Sequence, residues 1–185
     1  LKAVNSAIVK ARVPGELQGL TVREGDRVEA GQVIARVEAT EYADRVRQAQ
    51  QQADAAKAQV EIAQRQVDNN AALVRQGFIS KTAADNSLAS LNTAQANHRA
   101  AQAGIDVLRK SLADTVLRAP ISGQVSQRLA QPGERVAPEA RIVEIVDLSR
   151  LELEASISPA DSVAVRVGQQ ALLLVAADHV RLNVI

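Results

Sequence analysis

Residues 40–80 read TEYADRVRQAQQQADAAKAQVEIAQRQVDNNAALVRQGFIS. Within them Val46, Ala49, Ala53, Ala56, Val60, Ala63, Val67 and Val74 recur in alternating steps of three and four, with Asn70 filling one slot. That spacing is the heptad seam of a coiled coil. A second seam, Leu91, Ala94, His98, Ala101, Ile105, Leu108 and Leu112, keeps the same steps. Between the two, Gln76-Gly77-Phe78-Ile79-Ser80 breaks the pattern. Gly77 suits the left-handed residue that closes a helix, and Ser80 or Thr82 can cap the next one. Thr82 also has Asp85 three residues on, a weak capping box. Two helices joined by so short a turn run antiparallel. The spacing predicts a helical hairpin over 40–114.

Each arm of roughly 30–35 residues projects about 45–50 Å. Ala is the commonest seam residue, which allows close approach but buries little area, so Val, Ile and Leu supply most of the burial. Thr40 is the expected cap of the first helix, with Glu41 and Asp44 at its positive end. Arg109 and Lys110 fall in the last turn of the second, where cations are favoured. Off the seam both helices are rich in Gln, Asn, Lys and Arg.

The flanking text is β-like. Val22, Val28, Val33, Ala35 and Val37 lie between turn signals at Pro14-Gly15 and Glu24-Gly25-Asp26. The same text returns after the hairpin at an offset of 108: Gly15 with Gly123, Gly25 with Gly133, Arg27 with Arg135, Val28 with Val136, Ile34 with Ile142. Conservative matches join them, among them Val13 with Ile121, Leu17 with Val125 and Val37 with Ile145. Residues 13–38 therefore repeat as 121–146 without a gap. A half this short buries no core alone, so the two halves are expected to pack into one β module that the hairpin leaves and rejoins at adjacent points. Gly25 and Gly133 are turn glycines needing positive φ. Glu24, Asp26 and Glu134 read as solvated turn residues.

Composition narrows the function classes. The chain has 185 residues but only one Tyr and one Phe, so its apolar content is spread over small modules. With 22 basic and 21 acidic residues the net charge is +1, which offers no electrostatic case for nucleic acid. There is no Cys, hence no disulfide framework or thiolate metal site. The longest wholly apolar run, Ala171 to Ala177, is far shorter than the ~20 residues of a spanning helix. No signal peptide is evident and Leu1 is not an initiator methionine, so the chain reads as a processed or truncated piece of something longer. His98 and His179 have no companion ligands at metal spacing, and no nucleophile elbow, P-loop or dinucleotide fingerprint occurs. No catalytic, cofactor-binding or metal-binding residue is assigned.

Past Asp147, Leu151, Leu153, Ala155 and Ile157 alternate with polar residues as in a half-buried strand. Ser158-Pro159-Ala160-Asp161 is a helix start, expected to run to about Val165, and Gly168 turns the chain into a strand from Leu172 to Val175. A complete barrel needs more strands than this, so either the chain stops early or residues are missing near Asp178 to Leu182.

Two quasi-symmetric halves with turns of the type Val22-Arg23-Glu24-Gly25-Asp26-Arg27-Val28 resemble a biotinyl/lipoyl domain. Carrier domains of that kind bear their cofactor on a lysine between the halves. Here that place reads Glu38-Ala39-Thr40 and has no lysine to modify. A lipoyl domain split by a helical hairpin is similar to the periplasmic adaptors, or membrane fusion proteins, of tripartite efflux pumps. Leu117-Arg118-Ala119-Pro120-Ile121-Ser122-Gly123 and Gln131-Pro132-Gly133-Glu134-Arg135-Val136 resemble that family's return into its second lipoyl half. The resemblance covers residues 13 to about 170.

The fold class it implies is α+β, elongated and multi-module. A long antiparallel coiled-coil hairpin (40–114) is inserted in a split biotinyl/lipoyl-like β-sandwich (13–39 and 115–148). An incoming strand (1–12) precedes it and a partial β-barrel (149–185) follows. The implied protein is an adaptor and not an enzyme. It needs no cofactor, lies in the periplasm at the inner membrane, and forms a homo-oligomer, a hexamer in the assembled pump. Its implied partners are an inner-membrane transporter of the RND type and a TolC-type outer-membrane duct. The family's tip motif places Arg, then Leu four residues on, then Ser seven further. Leu73 and Ser80 fit it, while the Arg position falls on Asn69, with Arg65 one turn earlier as a substitute. Gly77, Phe78 and Ile79 complete the expected contact surface, the last two as apolar residues at an exposed turn. An adaptor of an ABC-type exporter or type I secretion system uses the same modules, though secretion-type helical regions tend to be longer. A carrier domain with a helical insertion lacks its lysine here, and a purely structural coiled coil leaves the duplication unexplained.

Overall fold

The computed structural model describes residues 2–152, 166, 168, 170–175 and 178–183. The chain divides into two compact units, Asn5–Arg150 and a second made of Leu1–Val4 with Leu151–Ile185.

In the first unit the duplication reappears strand by strand. β2 (Gly15–Leu20), β3 (Arg27–Val28) and β4 (Val33–Val37) have counterparts in β6 (Gly123–Arg128), β7 (Arg135–Val136) and β8 (Arg141–Glu152). With β1 (Lys2–Lys10) and β5 (Val116–Arg118) they build two four-stranded sheets, β1-β8-β6-β3 and β5-β4-β2-β7. Each sheet takes its two-residue edge strand from the other half: β3 pairs with β6, and β7 with β2. The turns reciprocate. Leu17 N–H donates to Glu134 O and Val125 N–H to Asp26 O, both at 2.9 Å. Gly25 N–H donates to Val125 O, and Gly133 N–H to Leu17 O. Neither half has its backbone donors satisfied without the other, which is why a sequence this short folds as a pair.

The side chains follow the same symmetry. Leu17, Val28, Ile34 and Val37 join Val125, Val136, Ile142 and Ile145 in one buried cluster. At roughly 1.5–3 kcal/mol for each large aliphatic side chain taken from water, this cluster is the main source of stability. Gly25 and Gly133 lie at φ +89° and +84°, as the turns require. Gly31, at φ +86°, corresponds to Glu139, which adopts φ +67° without being glycine.

Several details differ from the sequence reading. The repeat begins earlier than Val13: Gly31 N–H donates to Ala119 O just as Glu139 N–H donates to Ala11 O, each at 2.8 Å. Residues 8–10 accordingly match β5, and β1 is a sheet strand beside β8. Pro14-Gly15 is no turn. Gly15 opens β2, and a Cβ there would sit 2.5 Å from Val37 Cγ1, so packing against β4 sets its identity. In the second unit β10 (Asp178–Asn183) pairs antiparallel with β9 (Gln170–Val175) in continuous register. The helix expected from Ser158 to about Val165 lies outside the described residues, as does most of the strand expected from Leu151 to Ile157.

β4 and β5 are neighbours, and Val37 N–H donates to Thr115 O at 2.8 Å. The chain therefore leaves the sandwich and returns to it side by side. Between these points run α1 (Thr40–Arg75) and α2 (Lys81–Ala113). All nine seam positions of α1 and all seven of α2 are buried or half-buried, and the α2 seam continues back through Ala84 and Ser87. Gln50 near the start of α1 meets Arg109 near the end of α2. Thr40 is not the cap of α1. Ala39 holds the cap position without a side-chain bond, and the Glu38 carboxylate accepts from Thr40 N–H at 2.7 Å instead. Hydrogen bonds from Thr40, its side-chain hydroxyl first and its backbone N–H second, hold the Glu38 carboxyl below its ordinary pKa. Tyr42 packs on the sandwich core and its hydroxyl donates to Pro14 O, while Arg12 pairs with Asp114 at 3.1 Å. These contacts anchor both helix roots.

Candidate functional site: the turn between the helices

The far end of the helix pair closes through a defined set of backbone bonds. Gly77 N–H donates to Val74 O and Phe78 N–H to Leu73 O, each at 3.0 Å. With Gly77 at φ +74°, this is a Schellman closure, which satisfies carbonyls that the end of α1 would otherwise leave open. Two residues later Ser80, extended at φ −73° and ψ 154°, caps α2 by accepting from Ala83 N–H. Thr82 lies inside α2 and plays no capping part. Both helix ends are thus secured within five residues, so the turn is a fixed shape.

Its side chains divide into two groups. Phe78 is 74% exposed and Leu73 37%, whereas Ile79 is half-buried and not at the surface as expected. Asn69 is exposed one turn before Leu73. Arg65 is exposed too, with its Nε–H turned back to Glu61 O at 3.3 Å. The Ser80 hydroxyl oxygen accepts from Ala83 N–H at 3.3 Å. The sequence reading missed Leu88, 50% exposed on α2 near the turn. Its signal was an apolar residue off the seam. A large apolar side chain left in water on a rigid support marks a contact surface.

Among the described residues no group of three or more His, Asp or Glu side chains is placed to hold a metal ion. His98 is half-buried on the helix seam. No helix among the described residues is long and apolar enough to cross a membrane.

A sandwich of two interlocked halves with a long helix pair between them defines a barrel-sandwich hybrid. Residues 5–147 match the CzcB-like barrel-sandwich hybrid domain. The chain belongs to that family, within the periplasmic adaptor or membrane fusion proteins. It is 28% identical over 175 residues to the nodulation protein NolF of Rhizobium meliloti (strain 1021), covering 95% of this chain and 48% of NolF. It is 27% identical to the nickel and cobalt resistance protein CnrB of Cupriavidus metallidurans, covering 93% of this chain and 43% of CnrB. The chain thus spans about half the length of the curated relatives it matches. The membrane fusion protein Spr0693 of Streptococcus pneumoniae R6 superimposes with a TM-score of 0.69 over 91% of this chain and 71% of its own, at 18% identity. That likeness concerns the fold.

Proposed function

We propose that this chain is the adaptor of a tripartite efflux pump, joining an inner-membrane transporter of the RND type to a TolC-type outer-membrane duct. The β module of 13–39 and 115–148 acts as a split lipoyl-like domain that assembles around the channel, six copies to a pump. The 40–114 hairpin reaches from it toward the duct, and 149–185 begins a β-barrel domain that joins in the assembly around the channel. The carrying observation is the closed turn. Phe78 stands exposed between a Schellman-terminated helix and a Ser80-capped one, a docking shape that costs little ordering on binding. Leu73, Gly77, Phe78, Ile79 and Ser80 form the contact, with Asn69 and Arg65 beside it and Leu88 extending it. A tip that binds rather than reacts, and a lipoyl-like module without its lysine, support a role that is not enzymatic.

The test is cellular efflux together with crosslinking from the tip to the duct. Leu73→Asp with Ser80→Arg is expected to abolish both at wild-type protein levels, with far-UV circular dichroism near wild type. Normal efflux by that double variant removes the tip from the mechanism.

A further inference from the structure

The helix pair has two broad faces, one on each side of the inner seam, and charge is confined to one of them. On α1, Arg47, Asp54, Glu61, Asp68 and Arg75 follow one another in steps of seven, so every heptad places a charge on the same side. The opposite side carries Gln52, Gln59, Gln66 and Leu73 in the same steps, and α2 answers with Ala83, Ser90, Asn97, Gly104 and Ser111. At about 100° per residue each uncharged series lies roughly a quarter-turn from its inner seam. Contacts fix how the sides of the two helices match. Gln50 meets Arg109 across the charged side, and one groove there is lined by Asp54 and Lys57 of α1 with Gln102 and Asp106 of α2. The uncharged series therefore share the other face. Between residues 46 and 113 the helices carry thirteen Asp, Glu, Lys and Arg side chains. Eleven stand on the charged side, Arg65 and Lys110 lie on the outer edges, and none falls on the uncharged face. Arg45, at the root of that face, is paired with Glu41. A solvated helix pair has no need to sort its charges, because water covers both faces alike. Nor does the fold call for Gly104. It stands exposed in mid-helix, where glycine is poorly favoured, and a Cβ there would meet nothing within 4 Å.

We propose that the uncharged face is the wall past which the exported solute moves, and that the charged face looks outward. The proposal rests on reading the chain as an adaptor around a channel, and it names the face that bounds the channel and the solutes that face admits. Apart from Leu73 at the docking turn, the two series lack the aromatic and large aliphatic anchors of a protein-binding surface. Their amides and hydroxyls stay wetted. In a narrow water-filled passage the walls focus the field of a fixed charge, which then gathers solutes of opposite sign. Passage requires contacts weak enough to release. Single hydrogen bonds to Gln, Asn and Ser meet that requirement for cations, anions and neutral molecules alike. Size points the same way. The inner circumference of a ring is the shorter one, and Ala83, Ser90, Gly104 and Ser111 take little room where long Arg and Lys side chains would narrow the bore. The wall therefore selects by width and hydrogen bonding, and not by charge.

Asn97 and Gln95 give the test, since both are exposed, stand two residues apart on α2 and fall on opposite faces. Asn97→Cys and Gln95→Cys are made singly in this chain, which has no other Cys. They are labelled in permeabilised cells that make the protein, with the chain unfolded in guanidinium as the reference. Relative to that reference, a bulky polyethylene-glycol maleimide is expected to label Asn97→Cys at least tenfold more slowly than Gln95→Cys. N-ethylmaleimide, small enough to enter the passage, is expected to label both at similar rates. Small methanethiosulfonates bearing a sulfonate or a trimethylammonium group are expected to modify Asn97→Cys at rates whose ratio stays within threefold of the reference. Slower labelling of Gln95→Cys by the bulky reagent overturns the proposal and leaves the channel reading standing with its faces reversed. Equal labelling of the two thiols overturns it as well. If the tip variants still abolish efflux in that case, docking survives and the enclosed passage does not. A strong bias toward one reagent charge at Asn97→Cys refutes a wall that is blind to charge.

Discussion

The sandwich and the helix pair solve the same packing problem with opposite means. In the sandwich, a few large side chains are wholly enclosed: Leu17, Ile34, Ile142 and Ile145 each have 0% exposure. Backbone bonds between the halves tie the two chain segments reciprocally. Along the helices, only Ala53, Ser87, Leu91, Ala94 and Ile105 are buried, and alanine, at six of the sixteen seam positions, is the commonest seam residue. Support there is local, as in the Gln64–Asp68 and Gln66–Asn70 side-chain bonds and the Arg45–Glu41 pair. Such exposed pairs contribute little each. The β module is thus a self-sufficient core, and the helix pair is a light projection whose length exceeds what its own burial would justify. Length and surface are what it supplies.

The sharpest way to break the comparison is to hollow each region. Ile34→Ala and Ile142→Ala are expected to cost about 2–5 kcal/mol each, read as a fall in the thermal midpoint. The two costs should be similar because the sites are equivalent across the duplication. A large effect at one and none at the other would mean that the halves do not share a core. Next, Val60→Asp on the inner seam is expected to cost about 1–3 kcal/mol and lower helical ellipticity. Gln59→Asp, one residue away and exposed, should stay within about 0.5 kcal/mol. Equal effects at the two positions would refute the heptad assignment.

Smaller still are the ends. Gly77→Ala is expected to cost about 1–2 kcal/mol through its positive φ, and Ser80→Ala about 1 kcal/mol through the lost cap. Hydrogen exchange should quicken around 73–83 and leave the sandwich untouched. The smallest effect concerns Glu38, whose folded pKa is depressed. A depressed carboxyl pKa adds stability above the ordinary glutamate value of about 4.3, and that stability fades as pH falls through the lower folded value. Glu38→Gln should therefore lower the thermal midpoint slightly at pH 7, and the difference from wild type should vanish in strong acid.

How far these features could be read beforehand depended on whether a repeat or a period exposed them. The inner seams were visible because every third or fourth side chain reports the same environment. The duplication was visible because glycines at positive φ, such as Gly25 and Gly133, tolerate little else. Its first residues escaped notice because the prolines are out of step: Pro14 stands opposite Ser122, and Pro120 opposite Arg12. The root of α1 was misread because Thr40 is a good cap by type, while the chain is still held extended at Val37 by its bond to Thr115. That shifts the capping duty to the Glu38 carboxylate. At the turn, Gly77 and Ser80 declared themselves by chemistry. The half-burial of Ile79 beside an open Phe78 depends on how the last turns pack, which no local pattern encodes.

One bond, from Val37 N–H to Thr115 O, has a reach beyond its size. Because the outgoing and returning strands are paired at that point, the sandwich is indifferent to how much chain lies between them. Seven residues added to each arm would keep both seams in phase and advance the turn by about 10 Å. The helix pair is in that sense a gauge graduated in heptads, and the distance it spans can be reset without disturbing the part that folds it.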